Sequence, residues 1–114
     1  MTTPIVNNDK YPMREISIDY GVDGNFTIYN LDPNNKVLKF VGVFKGARAE
    51  EMVKYNVRQV SSGVYMIWWY ECRTSNIVHH VENFNTNTVY STIFDRVNSI
   101  MYATKGNITN KILL

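Results

Sequence analysis

Val64-Tyr65-Met66-Ile67-Trp68-Trp69-Tyr70-Glu71-Cys72 decides the fold. Valine, isoleucine and aromatic residues dominate it, the side chains that fit a pleated, half-buried surface. Six such residues among nine make a strand rather than a helix once Ser61-Ser62-Gly63 before them and Arg73-Thr74-Ser75-Asn76 after them are read as turns. On a strand alternate side chains point to opposite sides. Tyr65, Ile67, Trp69 and Glu71 share one face; Val64, Met66, Trp68, Tyr70 and Cys72 share the other.

Outward from this run the same grammar repeats. Strands are expected at about residues 14–20, 25–31, 36–44, 51–60, 64–72, 77–84, 88–94 and 99–109. Asp23-Gly24, Asp32-Pro33-Asn34-Asn35 and Asn85-Thr86-Asn87 supply further hairpin turns. Such connections are too short for parallel crossovers. The expected fold is therefore all-β, a small antiparallel up-and-down barrel of about eight strands, because closing the meander removes its two exposed edges. Residues 46–52, with Ala47, Ala49, Glu50 and Glu51, lean towards helix but suffice for no more than a turn. Residues 1–12, with two prolines, read as an N-terminal arm, and 13–114 as the single barrel domain.

With 114 residues and 45% hydrophobic side chains the chain has ample core for one domain. Twelve basic against ten acidic residues leave a net charge of +2, scattered along the chain, so no basic patch argues for nucleic acid. Cys72 is the single cysteine, which excludes an internal disulfide. Neither a leader-like apolar stretch near the start nor a membrane-length window is present, so a cytoplasmic location without membrane association is expected. No phosphate-binding loop, serine elbow or paired-cysteine motif appears, and no cofactor is expected. His79 and His80 are adjacent, hence on opposite faces, which argues against a shared metal; one of them could reach a cavity as a ligand contact or proton carrier.

Both faces of the central strand are apolar, so both need covering. A barrel interior serves one. A homodimer through Met66, Trp68 and Tyr70 would serve the other, as would the arm folding back; an open sheet between two layers is the alternative. If the Trp69 face lines the interior, Glu71 enters an aromatic cavity, and burial raises its pKa unless a cation such as Arg48 pairs with it. It could then act as a general acid, or else reach solvent beside the Arg73 turn.

The run Gly63 to Glu71, followed by His80-Val81-Glu82-Asn83-Phe84 and Thr88-Val89-Tyr90, resembles the MoaF-like group, named for molybdenum cofactor biosynthesis protein F. Gly42, Lys45-Gly46-Ala47, Glu51, Tyr55 and Val57 extend the resemblance upstream; Asn83 stands where the group has an aspartate. More distantly, the chain is similar to the phenolic acid decarboxylases, dimeric lipocalin-like barrels. That likeness places Arg48 on a substrate-facing arginine, Glu71 on the catalytic glutamate and Tyr20 on one of two tyrosines, with Ile18 in place of the other. The resemblance implies a small-molecule-binding barrel with ligand contacts from Arg48, Tyr55, Tyr65, Trp69, Tyr20 and His80, its ligand a small apolar or aromatic acid. A cofactor-independent lyase using Glu71 as acid, and an interaction protein with a filled barrel, are the alternatives.

Overall fold

The computed structural model describes residues 9–114. Of the arm expected over residues 1–12, positions 1–8 lie outside the described residues. Eight strands follow: β1 (Met13–Asp19), β2 (Gly24–Asp32), β3 (Val37–Phe44), β4 (Ala47–Ser61), β5 (Val64–Tyr70), β6 (Asn76–Asn83), β7 (Thr88–Asp95) and β8 (Ile100–Leu113). Each pairs antiparallel with the next, and β8 closes onto β1. The result is the expected up-and-down barrel, with a short 3-10 turn at Gly21–Asp23 as the one helical element among the described residues. No described helix is long and apolar enough to cross a membrane.

Two strands outrun their expected bounds by four residues: β8 continues to Leu113, where its last residues pair with β1, and β4 begins at Ala47, where local propensity misled. Ala47 to Glu50 form strand rather than a helical turn, because Lys45 and Gly46, both at positive φ (49° and 82°), make a tight hairpin that sets Ala47 opposite Phe44. Once that register is set, each residue up to Lys54 meets a partner on β3. Ladder pairing overrides the weak helical preference of Ala and Glu. Conversely β5 stops at Tyr70, and Glu71 opens the turn into β6: Ser75 N–H donates to Glu71 O and Glu71 N–H to Asn76 O, both at 2.8 Å.

The core is the lumen. Ile16 and Ile18 of β1, Ile28 of β2, Leu38 and Phe40 of β3, Val53 and Val57 of β4, Ile67 and Trp69 of β5, and Val89 of β7 are all buried at a two-residue period. Each such aliphatic or aromatic side chain contributes roughly 1.5 to 3 kcal/mol by leaving water.

The two ends differ. At the end carrying the β2–β3, β4–β5 and β6–β7 turns, Tyr11 plugs the lumen, 2% exposed, with its ring 6.0 Å from that of Tyr55, 6.5 Å from Tyr65 and 6.3 Å from Phe84. The Asp9 carboxylate accepts Gln59 N–H at 2.8 Å, and Leu114 N–H donates to Pro12 O at 3.0 Å, which pins the segment carrying the plug. The opposite end, at the β1–β2, β3–β4, β5–β6 and β7–β8 turns, stays hollow.

Candidate functional site

The barrel pattern places alternate residues of every strand in the lumen, and at the unplugged end these side chains leave a cavity of about 90 Å³. Its walls are Phe26, Ile28, Phe40, Phe44, Ala49, Trp69, Val78 and Ile93; polar groups come from Tyr20, Glu71, Thr74, Asn76, His80 and Thr104. Drug-sized pockets run to roughly 300 to 1,000 Å³, so the space suits one small ring or less, with the mouth open to solvent. Phe40 stacks on Trp69 at 6.0 Å and 22°, and the His80 ring meets Trp69 edge-on at 5.0 Å.

Glu71 sits at the rim yet is only 7% exposed. Its Oε2 accepts the Trp69 indole N–H at 2.9 Å and its Oε1 the Thr74 hydroxyl at 2.9 Å. Burial raises its pKa above the usual carboxylate value; the two hydrogen bonds pull it back, Glu51 nearby pushes it up and His80 draws it down. Arg48 does not pair with it.

Deeper in, Tyr20 Oη lies 2.6 Å from Ser91 Oγ and 3.5 Å from His80 Nε2. His80 Nδ1 lies 3.0 Å from Glu82 Oε2, and Tyr11 donates to Glu82 Oε1 at 2.5 Å. Burial pushes the Tyr20 and Tyr11 hydroxyls well above the ordinary tyrosine range, so both stay protonated donors; for Tyr11 the Glu82 charge adds to that. A line of polar groups therefore runs from the plug to the cavity wall. Among the described residues no buried side-chain nitrogen or oxygen lacks a partner, as the cost of an unpaired buried group requires.

Of the residues singled out in the sequence, Glu71, Trp69, Tyr20 and His80 come together here. Three do not. Arg48 projects outward, its guanidinium 3.0 Å from Glu50 Oε2 and its side chain 71% exposed; strand parity gives the lumen to its neighbour Ala49 instead. Tyr55 and Tyr65 lie at the plugged end beside Tyr11. The Tyr55 hydroxyl donates to Asn30 Oδ1 at 2.8 Å, and burial raises its pKa to about 12. Ile18, where the decarboxylase likeness wants a second tyrosine, is a buried core residue, 1% exposed. Sequence reasoning passed over Glu82 and Ser91. Glu82 shares a face with His80 and Val78, a signal that was available; Ser91 carried none beyond its parity with Val89.

His79 faces outward, half-buried against Trp68 with ring centroids 6.2 Å apart. Burial, then the neighbouring His80, lowers its pKa. Among the described residues no group of three or more His, Cys, Asp or Glu is placed to hold a metal ion.

Comparison with known proteins agrees with this architecture. The family model described as MoaF-like matches residues 12–109. No curated protein matches. A solved structure described as a "putative beta-lactamase" from Burkholderia vietnamiensis is similar with a TM-score of 0.77 and 15% identity, covering 94% of this chain and 100% of that one. At that identity the likeness is one of fold.

Proposed function

The chain belongs to the MoaF-like family, and we propose that it binds a small, uncharged aromatic or apolar molecule carrying one hydrogen-bonding group. The observation that carries this reading is the half-hollow lumen: apolar walls on most sides, with Tyr20, His80 and Glu71 converging from the others. Mostly apolar pockets with a few convergent polar groups are the usual form of a small-molecule site. An acid, the ligand class implied by the decarboxylase likeness, fits less well. No lysine or arginine lines the cavity, and an anion there would face the Glu71 carboxyl without a counter-charge.

Tryptophan fluorescence tests this. Small neutral aromatics should change the emission saturably, and Trp69→Phe should remove most of the change; flat titrations across a chemically broad set would overturn the reading.

A second reading, a cofactor-independent lyase or isomerase, is favoured by one observation: Glu71 is a buried carboxyl at the cavity rim whose pKa burial raises, the direction that suits a general acid. It ranks second because the arginine and the second tyrosine that would anchor an acidic substrate are outward and absent, respectively. Carbon dioxide release from hydroxycinnamic acids, abolished by Glu71→Gln, would put it first.

The outer wall supports a homodimer as part of the same proposal. Met66, Trp68 and Tyr70 are half-exposed there, and a groove of about 580 Å³ runs beside Trp68, Tyr70, Met52 and Cys72.

A further inference from the structure

The buried line from Tyr11 to Tyr20 assigns a direction to the hydrogen bond that the cavity offers. Glu82 is 0% exposed and His80 4%. Tyr11 can only donate to Glu82 Oε1, and His80 Nδ1 lies against Oε2. A carboxylate only accepts, so in the neutral imidazole the hydrogen sits on Nδ1 and Nε2 keeps its lone pair. Nδ1 is turned towards Glu82, which lies outside the cavity wall; Nε2 is turned towards Tyr20, which is part of it.

That lone pair is under-used. Tyr20 Oη lies 2.6 Å from Ser91 Oγ, and its 3.5 Å separation from Nε2 is at the outer limit of a hydrogen bond. Of the other acceptors in the cavity, Glu71 already receives two donors, the Thr74 hydroxyl donates to Glu71 and accepts Asn76 N–H, and the Thr104 hydroxyl donates to Asp23. A donor entering the cavity thus finds His80 Nε2 as its best partner.

We propose that Glu82, seated by Tyr11, is a positioning residue that holds His80 as a hydrogen-bond acceptor, and that the ligands are small aromatic hydrogen-bond donors. This rests on the reading of the cavity as a ligand site. A ring of the same shape without a polar hydrogen leaves Nε2 desolvated and unpaired, and a site built to bond a polar hydrogen discriminates strongly against such an analogue.

Pyrrole and furan, near-isosteric rings of which only the first donates, make the test on the whole chain. Nitrogen NMR of His80, distinguished from His79 by a His79→Gln variant, should show Nδ1 protonated and Nε2 bare. Pyrrole should bind about tenfold tighter than furan, the discrimination of one hydrogen bond, and should shift the Nε2 resonance. Glu82→Leu should move the hydrogen to Nε2 and abolish the preference. If Glu82→Leu does not fold, the double variant Tyr11→Phe/Glu82→Leu, which leaves no orphaned phenol, replaces it, and the two wild-type readouts decide by themselves. A wild-type His80 protonated on Nε2 overturns the proposal. Equal affinity for pyrrole and furan overturns it while leaving the binding cavity standing; binding of neither ring removes both.

Discussion

Trp69 and Glu71, two residues apart on one face of the central strand, are joined by a hydrogen bond from the indole N–H to Glu71 Oε2 at 2.9 Å. The contact fixes what each can do. The indole spends its only donor on the rim, and its ring, stacked on Phe40, forms part of the cavity wall. The carboxyl, held between indole and the Thr74 hydroxyl, cannot swing out to solvent.

Glu71 should make stability depend on pH. Burial raises its pKa in the folded state, so between the ordinary glutamate range and that raised value the native chain binds more protons than the unfolded one. Stability is then full below the unfolded pKa and is lost as pH rises through the folded one. Glu71→Gln keeps the contacts, its carbonyl accepting from Trp69 and its amide donating to Thr74, but has nothing to ionise. Denaturant unfolding at several pH values should show the wild type losing stability relative to Glu71→Gln as the pH rises above the ordinary glutamate range. A difference that stays constant with pH would contradict the buried carboxyl.

Tyr11→Phe should destabilise the fold by about 1 to 3 kcal/mol, since it keeps the ring packing but leaves Glu82 Oε1 buried with one donor fewer. Thermal or denaturant unfolding measures it. An unchanged midpoint would mean that the plug is held by its ring alone.

Gly106 faces the lumen, and a Cβ there would come within 2.5 Å of Ile18 Cγ2 and 2.9 Å of the Tyr20 ring. Gly106→Ala should therefore cost about 1 to 3 kcal/mol through overpacking and displace Tyr20 from Ser91. Ligand affinity should fall with it. Full stability and full affinity in the variant would show that Tyr20 does not need this space.

The outer face yields a prediction of its own. Trp68 packs on His79, and Tyr70 carries Arg96 over its ring at 5.6 Å, so cross-strand neighbours cover these aromatics only in part. Sedimentation should show a dimer that Trp68→Arg converts to a monomer with unchanged circular dichroism. A wild-type monomer at high concentration would contradict the interface.

What was legible in the sequence was what period-two patterning can carry. The strands, their antiparallel order and the shared face of Trp69 and Glu71 all follow from alternation and turn residues; which face turns inward did not, because both faces of that strand are apolar. Arg48 was not legible, because its place was inferred from a likeness that tolerates no one-residue error; a shift of one flips a side chain through the barrel wall. The extent of β4 was hidden because Ala47 to Glu51 favour helix locally, and only pairing with β3 makes them strand. The filled end was hidden as well. Tyr55 and Tyr65 share the lumen with Trp69, and only the folding back of Tyr11 divides that lumen into a plug and a cavity. Glu82 shares a face with His80 and Val78 in the sequence, but its burial between Tyr11 and His80 depends on the folding back of Tyr11.

Methyl NMR during titration with pyrrole tests the central claim most directly. Ile28 and Ile93 line the cavity, whereas Ile16 and Ile67, fully buried elsewhere in the lumen, do not. Saturable shifts at Ile28 and Ile93, with Ile16 and Ile67 unmoved, are the predicted result. No shift at any of them, or equal linear shifts at all four, would contradict a ligand site in the open half of the barrel.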